Sequence, residues 1–210
     1  MTIRATIFDL GGVVFPSPFE AFDNYDRANS LTTGTLRALI RRSSEEGAWA
    51  SLERGELSMD EFATALETEA DDAGFRLDTG QLMGLLGTGL GPRPEMVRAI
   101  EQLRAHGLKV AALTNNWSNG TERSTRNNLG DTDLFDVVIE SSVVGLRKPE
   151  PEIYALALAR LDVAASEAVF LDDLGINLKP ARAMGMITIK VTDPGVAIAE
   201  LGAVLGLELG

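Results

Sequence analysis

The sequence predicts an α/β protein: a parallel sheet with helices on both faces, carrying a smaller helical subdomain inserted after the first strand. Three observations predict it. Five short apolar runs, at 3–8, 109–116, 136–141, 168–173 and 187–191, read as strands. Beyond residue 91 these runs alternate with amphipathic helical segments, the pattern of parallel strands joined by right-handed crossovers. Between the first and second runs lies a block, 16–91, whose apolar residues follow helical spacing and which contains no convincing strand.

The first run, "IRATIF", passes through "DLGG" into "VVF", and Pro16 and Pro18 then break it. The inserted block follows, with the helical stretches "TLRALIRR", "EEGAWASLERG", "SMDEFATALETEA" and "DTGQLMGLLGTG". Ser58 with Glu61 three residues on is a capping box, and Phe62, Ala65 and Leu66 supply the apolar face behind it. "GLGPRP" closes the block, so residues 1–15 and 92–210 are expected to form the core and 16–91 the insertion. In the core, Met96, Val97, Ile100 and Leu103 share a helical face that His106-Gly107 ends, and "KVAALTNN" follows as a buried strand. A helix is expected at 121–129, then the strand "DVVIES". A helix over 150–161 has Ile153, Leu156, Ala157 and Leu161 on one side; after it come the strand "AVFLDD", a helix over 176–185 and the strand "ITIKV".

Composition narrows the function classes. The chain of 210 residues has 31 acidic and 19 basic side chains, a formal net charge of −12, and no dense Lys/Arg run, which argues against nucleic acid or an anionic membrane as partner. It has no cysteine, which excludes disulfides, thiolate catalysis and cysteine metal sites. The single histidine, His106, stands where a helix should end, so it reads as a residue facing the helix dipole rather than as a catalyst. No signal peptide and no bilayer-length apolar run is read from the sequence, and the expectation is a cytoplasmic protein, monomeric or homodimeric.

In doubly covered parallel sheets, ligands bind outside the carboxyl ends of the strands. Asp9 ends the first strand, Thr114-Asn115 the second, Asp172-Asp173 the fourth, and Lys148 lies in the loop after the third. Carboxylates with a lysine, and neither histidine nor cysteine among them, suit a hard oxygen-seeking cation such as Mg²⁺. Such a set can neutralise a phosphoryl group while Thr and Asn hydrogen-bond its oxygens. Each residue also has an ordinary use: a Thr-Asn pair makes turns, aspartates cap helices, and a lysine before proline is solvated. Their joint order argues for a site. Arg41-Arg42, Arg147 and Trp117 are weaker candidates, Trp117 as a wall of a leaving-group pocket.

"FDLGG", "LTNN", "GLRKPEPEIY" and "FLDDLGINLKPARAMGM", in this order, resemble the haloacid dehalogenase superfamily, whose members are mostly phosphatases. "LTNNW", "VGLRKPEPEIY" and "DDLGINLKPARAMGM" are most similar to the phosphatase domain of soluble epoxide hydrolases and its single-domain bacterial relatives; the chain has no room for the epoxide-hydrolysing domain. The resemblance covers the whole chain. It implies a Rossmann-like core with a cap, 16–91, closing over the site. It also implies Asp9 as the nucleophile that forms an aspartyl-phosphate, and Mg²⁺ held by Asp9, Asp173 and the Gly11 carbonyl. Thr114 and Asn115 become the phosphate-binding pair, Lys148 the charge-balancing lysine, and Asp172 a residue that orients Lys148 or a metal-bound water. The substrate implied is a small phosphorylated metabolite.

One position departs from the pattern. Most phosphatases of the superfamily carry a second aspartate two residues after the nucleophile, as general acid and base; here that position is Gly11. Three readings follow: a Mg²⁺-dependent phosphatase lacking its usual proton shuttle, a catalytically weak phosphate-binding or regulatory protein, and a 2-haloacid dehalogenase. Glu20 and Asp23 are the nearest acids that could substitute.

Overall fold

A computed structural model of the chain describes residues 2–42, 46–87, 91–117 and 134–210. Its centre is a five-stranded sheet of β1 Ala5–Phe8, β2 Lys109–Thr114, β3 Val137–Glu140, β4 Ala168–Asp172 and β5 Ile187–Lys190. The order is β3-β2-β1-β4-β5 and every pairing is parallel. All five strands fall within runs expected from the sequence, and a parallel sheet buried on both sides explains why those runs are continuously apolar.

The period-2 alternation of strand side chains divides the core into two layers. Phe8, Val110, Ala112, Val169 and Leu171 face one side, against Met96, Ile100 and Leu103 of α6 (Pro94–Ala105) and Ile198 and Leu201 of α10 (Pro194–Leu205). Ile7, Ala111, Leu113 and Phe170 face the other, against α8 (Pro151–Leu161) and α9 (Gly175–Ala183). A short helix, α7 (Ser141–Val144), caps the end of β3. Helix α10 has no counterpart in the sequence expectations; Asp193, whose carboxylate accepts from the Val196 N–H at 2.9 Å, and Pro194 at its first position are its start signals. The helix expected at 121–129 lies outside the described residues. His106 follows α6, its Nδ1 2.8 Å from the Gln102 carbonyl.

Between β1 and α6 the chain forms α1 (Phe19–Ala28), α2 (Thr35–Arg42), α3 (Ala48–Glu53), α4 (Met59–Asp72) and α5 (Thr79–Gly87). The capping box at Ser58 is present: the Glu61 N–H donates to Ser58 Oγ at 3.3 Å and the Ser58 N–H to Glu61 Oε2 at 2.9 Å. These helices bury an apolar cluster of their own, including Phe22, Trp49, Leu52, Phe62, Leu66 and Leu82. The chain leaves and returns at one place, because the Arg93 N–H donates to the Val14 carbonyl at 2.7 Å. Among the described residues no helix is long and apolar enough to cross a membrane.

Candidate active site

Asp9 continues β1, and its N–H donates to the Leu171 carbonyl of β4 at 2.9 Å. That pairing brings the ends of β1 and β4 together, and with them Asp9, Asp172 and Asp173, whose carboxylate oxygens approach within 4.8 Å of one another. Lys148 enters from the loop after α7, and its Nζ lies 2.7 Å from Asp9 Oδ1 and 2.8 Å from Asp172 Oδ2. Lys148 is 1% exposed and Asp172 is fully buried. Burial alone would pull the lysine's pKa down, but Asp172 and Asp9 more than reverse this and raise it, so the ammonium stays charged.

The two acids of "DD" have different surroundings. Asp172 accepts from Lys148, from the Leu174 N–H at 2.8 Å and from Asn177 Nδ2, 3.1 Å from both its oxygens. Its oxygens are committed to this fixed shell. Asp9 accepts from Lys148 and the Leu10 N–H through Oδ1 alone, and Asp173 is half-buried beside it. Burial pushes Asp9 well above the usual carboxylate range, with Lys148 opposing and Asp172 adding to the rise. Burial, and then Asp172, push Asp173 up to about 6. Three carboxylates thus meet one ammonium, an excess of negative charge that a divalent cation would offset. Oxygen-only donors are what Mg²⁺ takes, so the residues present fit that ion.

Gly11 and Gly12, which follow Asp9 and Leu10, differ in what they tolerate. A Cβ on Gly12 would stand 2.3 Å from Asp173 Oδ2, and its φ of +80° is a conformation other residues rarely adopt. Gly12 therefore lets Asp173 approach the backbone. A Cβ on Gly11 would meet only Pro18 Cδ, at an ordinary 3.5 Å.

The structure brings Thr114 and Asn115 to the same edge but uses them differently. The Thr114 hydroxyl donates only a long 3.4 Å bond to the Asn115 carbonyl. Asn115 brackets the Lys148 main chain: Oδ1 accepts from the Lys148 N–H at 2.8 Å and Nδ2 donates to the Lys148 carbonyl at 3.0 Å. Of the weaker candidates, Trp117 packs edge-to-face on Trp49 of α3, 5.7 Å between ring centres, and Arg41 and Arg42 are exposed at the end of α2. Asp23 pairs with Arg37, and Glu20 is exposed.

Glu53 was not singled out by its sequence. From the end of α3 it accepts from Trp49 Nε1 at 3.0 Å, from Asn115 Nδ2 at 3.0 Å and from Arg147 at 2.7 Å. An acid closing the short apolar stretch "AWASLE" four residues after a tryptophan is the only signal it leaves. At the opposite end of the sheet a 590 Å³ cavity is lined by Arg104, Lys109, Asp136 and Arg160, among others. There Arg104 pairs with Asp136 at 3.2 Å and Lys109 donates to the Leu161 carbonyl at 2.5 Å, which spends those charges locally.

The family profile described as haloacid dehalogenase-like hydrolase matches residues 3–185. The bifunctional epoxide hydrolase 2 of Sus scrofa is 34% identical over all of this chain, which spans 40% of that protein's length. A sesquiterpene phosphatase, astK, of Aspergillus oryzae is 30% identical, with 98% of each chain covered. A haloacid dehalogenase family enzyme of Bacteroides thetaiotaomicron, solved with magnesium and inorganic phosphate, has the same fold at a TM-score of 0.62 and 20% identity, covering 90% of this chain and 93% of its own.

Proposed function

Because the chain belongs to the haloacid dehalogenase-like hydrolases, we propose that it is a Mg²⁺-dependent phosphatase of small phosphorylated metabolites in the cytoplasm, acting through a phosphorylated Asp9. The observation that carries this reading is the buried meeting of Asp9, Lys148 and Asp172, with Asp173 beside it. Asp9 Oδ attacks phosphorus while the ester oxygen departs with its electron pair; water then cleaves the acyl phosphate, releasing inorganic phosphate and restoring Asp9. Lys148 balances the charge of the phosphoryl oxygens and opposes the burial that raises the Asp9 pKa. Asp172 fixes Lys148, and the Thr114 hydroxyl, whose bond to the Asn115 carbonyl is a long one, would donate to a phosphoryl oxygen.

Asp9, Asp173 and the Gly11 carbonyl would hold Mg²⁺, which when bound neutralises phosphate charge and lowers the nucleophile's pKa. The helices between β1 and α6 would form the cap that selects the leaving group. Gly11 offers no proton, so leaving groups that depart unprotonated are favoured. Two phosphatase-named relatives at 30% identity support the reaction class. A single displacing carboxylate would serve halide release and leave Asp173 without work, which favours phosphoryl transfer. Initial rates on p-nitrophenyl phosphate with and without Mg²⁺, beside chloride release from 2-chloropropionate, test the reading. Metal-stimulated phosphate release without chloride is expected; chloride release independent of metal would replace it with a dehalogenase.

A further inference from the structure

We propose that Glu53 is a positioning residue, through which seating of the inserted helices aligns the main chain of Lys148. The inference rests on the phosphatase reading of the Asp9–Lys148 centre. Glu53 is the last residue of α3, where the helix dipole disfavours an acid. It is nonetheless held there at 10% side-chain exposure, facing an Arg147 side chain exposed by 12%. A carboxylate kept in that place against the dipole, and away from water, needs the cation and amide that it meets.

The connections run in one direction. Glu53 Oε2 receives both Arg147 and Asn115, and the Asn115 carboxamide closes on the N–H and the carbonyl of Lys148. Arg147 is the residue before Lys148, so the carboxylate grips this lysine's peptide frame from two sides. The two residues after Glu53 also seat on the core. Arg54 pairs with Glu150 at 3.3 Å, and Gly55 lies so close to the Ser142 carbonyl that a Cβ would stand 2.5 Å from it. Moving α3 away would release Asn115 and Arg147 together. The Lys148 ammonium, which faces Asp9, would then lose the frame that aims it.

The two tryptophans of the chain, Trp49 on α3 and Trp117 after β2, give a direct view of this seating. Indoles 5.7 Å apart couple excitonically, so a circular dichroism couplet reports α3 docked on the core, independently of turnover. The experiment compares wild type, Glu53→Gln, Arg147→Met, the double variant and Asn115→Ala. With p-nitrophenyl phosphate and Mg²⁺, Glu53→Gln should lower kcat at least tenfold and leave KM within about threefold. Losing a charge-assisted bond to an aligning group costs transition-state rather than ground-state contact, at this order of magnitude. The double variant should be no slower than the slower single, and the couplet should weaken in both singles and in Asn115→Ala.

An unchanged kcat, an effect on KM alone, or additive losses in the double variant overturn the proposal. So does a couplet that is unchanged in Glu53→Gln and Asn115→Ala. Should wild type release no phosphate, the phosphatase reading fails on its own, and the couplet still decides whether Glu53 and Asn115 form one link.

Discussion

On the proposed phosphatase reading, replacing Gly11 by aspartate should extend turnover to poorer leaving groups. The structure sets the cost of the change. A Cβ at Gly11 meets only Pro18 Cδ at 3.5 Å, and the backbone there lies outside the left-handed region. The fold should therefore tolerate the new side chain, and losing glycine's freedom in the unfolded chain offsets strain by roughly 0.4–1 kcal/mol. For a chain of this size, the melting temperature should move by less than about 4 °C. The gain is chemical. General acid–base assistance is worth about 10²–10⁴-fold, or roughly 3–5 kcal/mol of barrier. It matters most where the leaving alkoxide is poorest. Wild type should thus cleave p-nitrophenyl phosphate at least about 100-fold faster than a simple alkyl phosphate, and Gly11→Asp should narrow that ratio by about tenfold or more. Gly12→Ala is the contrasting control: at φ +80° and 2.3 Å from Asp173 Oδ2 it displaces a metal-binding candidate and should lose activity on both substrates. The assay is kcat/KM for the two substrate classes in all three proteins, with melting curves. Equal rates on alkyl and aryl phosphates in wild type would refute the reasoning, because another group would then be supplying the proton.

Asp9→Asn should abolish turnover while leaving the melting temperature unchanged or higher at neutral pH, since burial already disfavours this charge and Lys148 keeps Asp172; activity above background would exclude the covalent route. Lys148→Met should destabilise the protein by about 3–5 kcal/mol, because it strands two buried carboxylates, and adding Asp172→Asn should recover part of that in chemical denaturation. For Asp173, raised to about 6, the folded state binds the proton more tightly than the unfolded one, so its contribution to stability is full below about pH 4 and is lost as pH rises towards 6. Without metal, Asp173→Asn should remove that slope relative to wild type. Mg²⁺ should raise the wild-type melting temperature more at pH 7.5 than at pH 5, and should not raise that of Asp173→Asn.

The sheet was readable because each strand is a continuous apolar run ended by a polar residue, and both properties survive in one dimension. Helix α10 escaped because it is apolar almost throughout, "PGVAIAELGAVL", without the alternation that marks one buried face; only Asp193 and Pro194 signal it. The acids of the site were legible by position, at strand ends. What the sequence could not convey is which partner each one takes. Asp172 and Asp173 are adjacent letters, yet one is enclosed by Lys148, Leu174 and Asn177 and the other stands against Gly12. Asn115 is expected to bind phosphate from its place at a strand end; that its carboxamide also brackets the Lys148 main chain has no mark in the sequence. Glu53 was invisible for the same reason: its meaning lies in contacts with residues more than sixty positions away.

The strand order has a consequence for how the protein is made. β1 is the middle of the sheet and precedes all its partners in the chain, but Ala5 must wait for Lys109 on one side and Ala168 on the other. Closing such loops costs entropy that grows only slowly with length, about 0.6 kcal/mol per doubling, but it is spent before any pairing rewards it. The contacts available early are local ones: the inserted helices among themselves, and β4, α9 and β5 as one continuous unit. The central strand is therefore the last to gain its neighbours. Asp9 is carried on its end, so it joins Asp172 and Asp173 only as the sheet closes.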